Sequence, residues 1–139
     1  MMELVKIHPP FVHFGIAFPV LLLIVELYYR MNKKPIDGLH ALLTYLSVVA
    51  VILSTITGII AHEPIEDKLH TIPVFETHEV LGLILAILFL GIGVLRFLLP
   101  KKEGLRNLFT LLLVVGVLLL FLQGMLGGKI VYNYLLKLS

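Results

Sequence analysis

The chain has 139 residues, of which 59% are hydrophobic and 14% charged, and its formal net charge is +2. Soluble domains are about 45–50% apolar and about 25% charged, so this composition excludes an ordinary soluble domain and a disordered chain. The sequence has no cysteine, which excludes a disulfide framework, an iron–sulfur cluster, a thiolate zinc site and covalently attached haem. The chain also lacks a basic tract, so nucleic acid is not an expected partner.

Four long apolar stretches follow one another in the chain, separated by short polar connections. Each is close to the roughly 20 residues that cross a bilayer as a helix. No segment alternates apolar and polar residues as a membrane strand does. The predicted helices cover about 9–31, 39–61, 75–99 and 106–136. We therefore predict one all-α domain, residues 1–139, folded as an integral-membrane up-down four-helix bundle surrounded by lipid.

The start of the chain is expected to enter the membrane as part of the bundle. Residues 1–12 lack the basic start and apolar run of a cleavable signal peptide. Pro9 and Pro10 suit the first turn of a helix, where a missing N–H costs nothing. Pro19 lies inside the first predicted helix and is expected to kink it. Insertion is then expected to depend on the spanning helices themselves.

Charge is distributed unequally between the two ends of the predicted bundle. Seven of the eleven bases, with three acids, lie in or beside the first and third connections; this gives +4 there and −2 at the other end. The positive-inside rule predicts that the basic end faces the cytoplasm. We therefore expect a multi-pass protein of the cell (inner) membrane with both termini outside.

Five of the six histidines then gather at the outer end: His8, His13, His62, His70 and His78. His13 and His78 lie near the starts of the first and third helices, which are diagonal in an up-down bundle. Two imidazoles at similar depth on opposite helices suit the axial ligation of a haem iron. We predict that His13 and His78 bind haem b, with His8 and His62 as reserve ligands.

Glycines occur at the same depth as these histidines. Small residues in membrane helices either allow close packing or leave a slot for a flat ligand. The second interpretation assigns four glycines to the cofactor site: Gly58, Gly82, Gly124 and Gly128.

Two alternatives to haem stay open. The outer histidines and the acidic residues around them offer nitrogen and oxygen ligands for a Zn, Cu or Fe ion, although no tight metal-binding spacing is found. A bundle without a cofactor would leave the histidines among headgroups and use the glycines for packing. At the inner end, His40 is expected to be interfacial, and Glu26 is expected to pair with Arg30 four residues later.

The segment 8–17, HPPFVHFGIA, resembles the opening H-P-x-x-V-H-F-P-I-A of domain-of-unknown-function family 2231. Three later features also look like that family's pattern: Thr57-Gly58, His78 with Gly82, and Gly124-x-x-Gly127-Gly128-x-x-Val131-Tyr132. The resemblance implies a small prokaryotic membrane protein with four helices and implies no activity. Gly15 stands where the family usually has proline. The diagonal-histidine layout is similar in architecture to small membrane cytochromes b.

The leading functional hypothesis is a b-type cytochrome that exchanges electrons between a quinone and an outer-side redox protein. No nucleophile motif, Ser-His-Asp arrangement or phosphate loop is recognisable, so no catalytic residue is predicted. An electron carrier, or an anchor subunit of a larger membrane complex, is expected rather than a stand-alone enzyme. A homo-oligomer, a non-haem metal-binding protein and a cofactor-free structural subunit all stay open.

Overall fold

Four long helices make up most of the computed structural model, which describes residues 2–136. They are α1 (His8–Met31), α2 (Gly38–His62), α3 (Phe75–Leu98) and α4 (Arg106–Lys129). Residues 2–136 contain no strand. The predicted all-α four-helix bundle is therefore confirmed.

Short helical turns occupy the ends and the connections between the long helices. They are the one-turn helices Met2–Val5 and Glu66–Leu69 and the 3₁₀ turns Glu63–Ile65 and Glu103–Leu105. Beyond Lys129 the chain continues as a π-helix over Ile130–Leu135. The single helix predicted over 106–136 is thus divided into an α-helical part and a wider π-helical part.

The four long helices pack around a square. The first helix, α1, packs on α2 and α4, and α3 packs on the same two helices. This places α1 and α3 across the bundle from each other, as expected for short connections between antiparallel neighbours. Side chains on α1 and α3 can therefore contact each other directly only at the centre of the bundle. Elsewhere they are connected by side chains on α2 or α4.

Apolar side chains fill the centre of the bundle and also cover its outside. Leu22, Phe89 and Phe109 are fully buried in the core, whereas Ile87 and Phe97 are 71% and 70% exposed on the outer surface. All four long helices have the length and hydropathy needed to span a membrane. An outer surface of this kind is stable in contact with lipid chains rather than water. The protein is therefore a multi-pass membrane protein.

The inner faces of α1 and α3 each carry a polar residue at both ends. Glu26 follows His8 by 18 residues and Arg96 follows His78 by 18 residues. Because 18 residues make five helical turns, each pair lies on one helix face with about 27 Å between its members. Two polar regions therefore lie inside the bundle, one near each of its ends.

Candidate functional site

Three histidines from three helices converge at the end of the bundle where α1 begins. His8, His62 and His78 each place one ring nitrogen within 4.8 Å of the others. The His62 ring is centred 5.9 Å from the His8 ring and 6.0 Å from the His78 ring. Nitrogen ligands on a tetrahedral ion lie about 3.4 Å apart, so an ion would require the rings of this histidine cluster to move closer together.

Thr57 orients the His8 ring within the cluster. The Thr57 Oγ1 atom is 3.2 Å from His8 Nδ1 and 3.1 Å from the backbone carbonyl oxygen of Ser54. A hydroxyl has one proton, so both hydrogen bonds form when Thr57 donates to Ser54 and accepts from the Nδ1–H of His8. The Nε2 atom of His8 then carries the free lone pair that a metal needs. Such partners of metal-binding imidazoles fix both ring orientation and tautomer.

His78 is the most deeply placed member of the cluster. It is 8% exposed, and within residues 2–136 its Nδ1 atom has no hydrogen-bond partner. Its backbone carbonyl accepts a hydrogen bond of 2.9 Å from Gln123 Nε2. Buried polar atoms are nearly always paired in folded proteins. The Nδ1 atom of His78 is therefore available, within residues 2–136, to bind a ligand that enters the cluster.

Glycines make room for two of the three rings. A Cβ atom on Gly58 would lie 3.0 Å from Cε1 of His8, and one on Gly127 would lie 3.2 Å from Cε1 of His78. The third ring, that of His62, packs edge-on against Phe75 with 5.1 Å between ring centres. The cluster is thus held by packing on α2, α3 and α4.

The structure brings His78 together with the two reserve histidines and not with His13. His13 is exposed, and its Nδ1 atom donates to the carbonyl oxygen of Pro9 over 2.6 Å. Five residues of helix turn a side chain by about 140°, so His8 and His13 cannot both face the bundle interior. His70 is also exposed and lies 3.4 Å from a carboxylate oxygen of Glu66.

The glycines predicted for a haem slot lie mostly against side chains. Gly58 faces His8, Gly82 faces Gln123 and Gly124 faces Ile16; in each case the nearest side-chain atom is 3.0–3.3 Å from where a Cβ would lie. Gly128 has no atom within 4 Å of that position. At three of the four positions, the absence of a side chain therefore allows a neighbouring residue to pack against the backbone.

A second polar region, the Glu26 network, lies at the opposite end of the bundle. The Glu26 carboxylate is fully buried and accepts from Arg106 Nε and Nη2 at 3.2 and 3.1 Å. It also accepts from Thr110 Oγ1 and His40 Nε2, each at 2.7 Å. Arg30, the partner expected from the sequence, is farther away, with Nη1 3.9 Å from the carboxylate. The principal ion pair of Glu26 therefore joins α1 to α4.

His40 links Glu26 to Arg96. Contrary to the interfacial position expected for it, His40 is fully buried, and its Nδ1 atom accepts a 2.8 Å hydrogen bond from Arg96 Nε. Arg96 also donates from Nη2 to the backbone carbonyl of Asp37 over 3.0 Å. This network was not predicted from the sequence; the signal for it is the 18-residue spacing that places Glu26 and His8 on one face of α1.

Asp37 caps the start of α2 beside this network. Its carboxylate accepts from the backbone N–H of His40 at 3.1 Å and from the Tyr29 hydroxyl at 2.9 Å. The bond from the His40 backbone is the largest cause that holds the pKa of Asp37 below its usual value; the Tyr29 hydroxyl and the charge of Lys34 add to it. The charged form of Asp37 is therefore the one that stabilises the helix start.

Together, four membrane-spanning helices with a histidine cluster at one end and a buried ionic network at the other define a small helical-bundle membrane protein. A sequence model of the DUF2231 family, described as predicted membrane protein, matches residues 5–139, so the chain belongs to this family. A search of curated proteins found no similar protein, and a search of solved structures found no similar structure.

Proposed function

We propose that this protein is an integral-membrane metal-binding protein that holds one transition-metal ion on His8, His62 and His78. The observation that carries the proposal is the convergence of three ring nitrogens within 4.8 Å. Imidazole is a good ligand for Zn²⁺ and Cu²⁺, and Cu²⁺ has the highest affinity of the divalent first-row ions for a given site. Both ions are therefore suitable probes.

Three features of the site support an ion over a purely structural cluster. The tautomer favoured by Thr57 frees Nε2 of His8, and Nδ1 of His78 is buried with no hydrogen-bond partner among the described residues. Three protein ligands also leave a fourth coordination position for water or a substrate, as in catalytic zinc sites. A bound ion would supply Lewis-acid chemistry, or one-electron exchange if it is copper or iron.

The distribution of charge supports an outward orientation of this site. The histidine end carries a net charge of −2 and the opposite end +4, and the positive-inside rule places the basic end in the cytoplasm. We infer that the protein lies in the cell (inner) membrane with both termini and the metal site at the outer surface. Labelling of the exposed Lys6 by a membrane-impermeant amine reagent in intact cells tests this orientation, with Lys101 as the opposite-side control.

The haem hypothesis has less support from the geometry. It requires His13 and His78 to face one another across the bundle, yet His13 is exposed and bonded to the Pro9 carbonyl. A haem on this pair, and the electron transfer that would follow from it, stays a prediction of the sequence. It is the principal competing outcome of the experiment below.

The deciding experiment combines metal analysis with absorption spectroscopy on the full-length protein. The chain is expressed with ample haem, purified in detergent, and titrated calorimetrically with Zn²⁺ and with Cu²⁺. We expect one ion per chain and no Soret band or sharp α-band after reduction. A reduced low-spin haem spectrum that disappears in His13→Ala would overturn the proposal in favour of the cytochrome. Failure to bind either ion would overturn it in favour of a cofactor-free bundle.

A further inference from the structure

A cavity of about 800 Å³ opens at the end of the bundle opposite the histidine cluster. Five cationic side chains line it: Arg30, Lys33, Lys34, Arg96 and Arg106. Its lining contains two carboxylates, those of Asp37 and Glu103. The cavity therefore has an excess of positive charge and is independent of the proposed metal site.

Arg96 is the buried cation of this cavity. It is 5% exposed, and its two hydrogen bonds go to neutral acceptors, the His40 ring and the Asp37 backbone carbonyl. Within residues 2–136, no carboxylate oxygen lies within the 4.0 Å of Arg96 that would make an ion pair. Asp37 and Glu26 act on Arg96 only from beyond that distance, and burying a guanidinium without a close ion pair is costly.

The Glu26 carboxylate does not supply that counter-ion directly. Because Nδ1 of His40 accepts from Arg96, the proton of this imidazole lies on Nε2, which donates to Glu26. His40 is then neutral and separates the guanidinium of Arg96 from the carboxylate. The one negative charge of Glu26 is already paired with Arg106 through two hydrogen bonds.

We propose that this cavity binds a phosphate-bearing anion. A guanidinium group matches the oxygens of phosphate in geometry and charge, and lysines supply further charge at the rim. The phosphate can belong to the headgroup of an anionic phospholipid or to a soluble phosphate compound. Basic pockets between membrane helices near the bilayer surface are suited to the first source. The bound anion would form a close ion pair with Arg96, in addition to the longer-range attraction from Asp37 and Glu26.

The two sources are distinguished by two measurements on the full-length protein. In the first, the protein is reconstituted in nanodiscs of equal phosphatidylglycerol and phosphatidylcholine, and retained lipid is identified by native mass spectrometry. In the second, its Tm in zwitterionic detergent is followed against inorganic phosphate, with chloride at matched ionic strength as reference. Selective retention of phosphatidylglycerol assigns the site to lipid, and a saturable phosphate-dependent rise in Tm assigns it to a soluble anion.

Variants test whether either signal comes from the cavity. We expect Arg96→Gln to weaken binding roughly tenfold or more, as loss of a charge-assisted hydrogen bond does. Lys33→Gln changes an exposed side chain and should weaken binding severalfold. This variant keeps the proposal testable if Arg96→Gln does not fold. Lys101→Gln is the matched control, because Lys101 is exposed at the same end outside the cavity. Binding of neither probe, or equal losses in Lys33→Gln and Lys101→Gln, would overturn the proposal.

Discussion

His8 and His13 project from opposite sides of α1. The His8 ring reaches Thr57 on α2, with 3.2 Å between Nδ1 and Oγ1, while the exposed ring of His13 bonds back to the carbonyl of Pro9 at 2.6 Å. The separation follows from the helical repeat, which turns five residues through about 140°. One of these two histidines therefore contributes to the polar interior, and it is His8.

Substitution of single histidines should show which of them bind the metal ion and which do not. His62→Ala and His78→Ala are each expected to weaken Zn²⁺ binding at least 100-fold, because even substitution of a ligand's supporting residue typically costs about 10–100-fold. His13→Ala is the matched control and should leave the affinity unchanged. Calorimetric titration of the purified variants measures this. An equal loss in His13→Ala would show that the ion is bound elsewhere.

A methyl group added at Gly58 should weaken metal binding by displacing the His8 ring. In Gly58→Ala the new Cβ would lie 3.0 Å from Cε1 of His8 and would displace the ring, so Zn²⁺ affinity should fall roughly tenfold. Gly128→Ala, where no atom lies within 4 Å of the added group, should bind normally. Calorimetric titration with Zn²⁺ compares the two variants, and an equal loss of affinity in Gly128→Ala would show that contact with the His8 ring is not the cause.

Removing the buried carboxylate of Glu26 should destabilise the bundle strongly. Glu26→Ala leaves Arg106, Thr110 and His40 without their shared acceptor, and breaking a buried ion pair typically costs about 3–5 kcal/mol. Glu26→Gln keeps an acceptor oxygen but removes the charge, so its free energy of unfolding should fall less than that of Glu26→Ala. Glu103→Gln, at an exposed position nearby, should change the free energy of unfolding by less than about 0.5 kcal/mol. Unfolding in mixed micelles measures all three; similar values for Glu26→Ala and Glu103→Gln would contradict the expectation.

The Asp37 cap at the start of α2 should make the stability of the protein depend on pH in the acidic range. The pKa of Asp37 is lowered in the fold, chiefly by the hydrogen bond from the His40 backbone. Its charge therefore stabilises the folded state above the ordinary aspartate pKa of about 4, and this contribution is lost as the pH falls through the lowered value. The Tm difference between the natural protein and Asp37→Asn should be full at neutral pH and should shrink below about pH 4. A difference that stays constant through that range would contradict this assignment.

The class of fold follows from the sequence because lipid leaves few choices. A chain that is 59% hydrophobic, with four apolar stretches of spanning length, can satisfy its backbone in a bilayer as helices. The short connections then require antiparallel neighbours, which places α1 and α3 across the bundle. The π-helical segment Ile130–Leu135 could not be predicted in this way, because no proline or other break separates it from the α-helical residues before it.

The histidine cluster was harder to predict, because its members depend on which side of each helix faces the centre of the bundle. The end of the bundle at which each histidine lies follows from the topology, but the side of the helix that faces inward depends on the whole stripe of packed residues. On α1 that stripe contains Gly15, Pro19, Leu22 and Glu26, all buried. Glu26 is the strongest signal among them, since a carboxylate is costly on a lipid-facing side. Extending the stripe from Glu26 back by five turns reaches His8 and leaves His13 outside.

The ion pair of Glu26 with Arg106 can form only after the last spanning helix has been synthesised. The two residues are 80 positions apart, on the first and last spanning helices. During synthesis, Glu26 is therefore made long before Arg106. Until the last helix inserts, the partners available to Glu26 in the described structure are Arg30 on the same helix and His40 on the second helix. A chain cut short before its fourth helix would lack the hydrogen bonds that Arg106 and Thr110 donate to this buried acid.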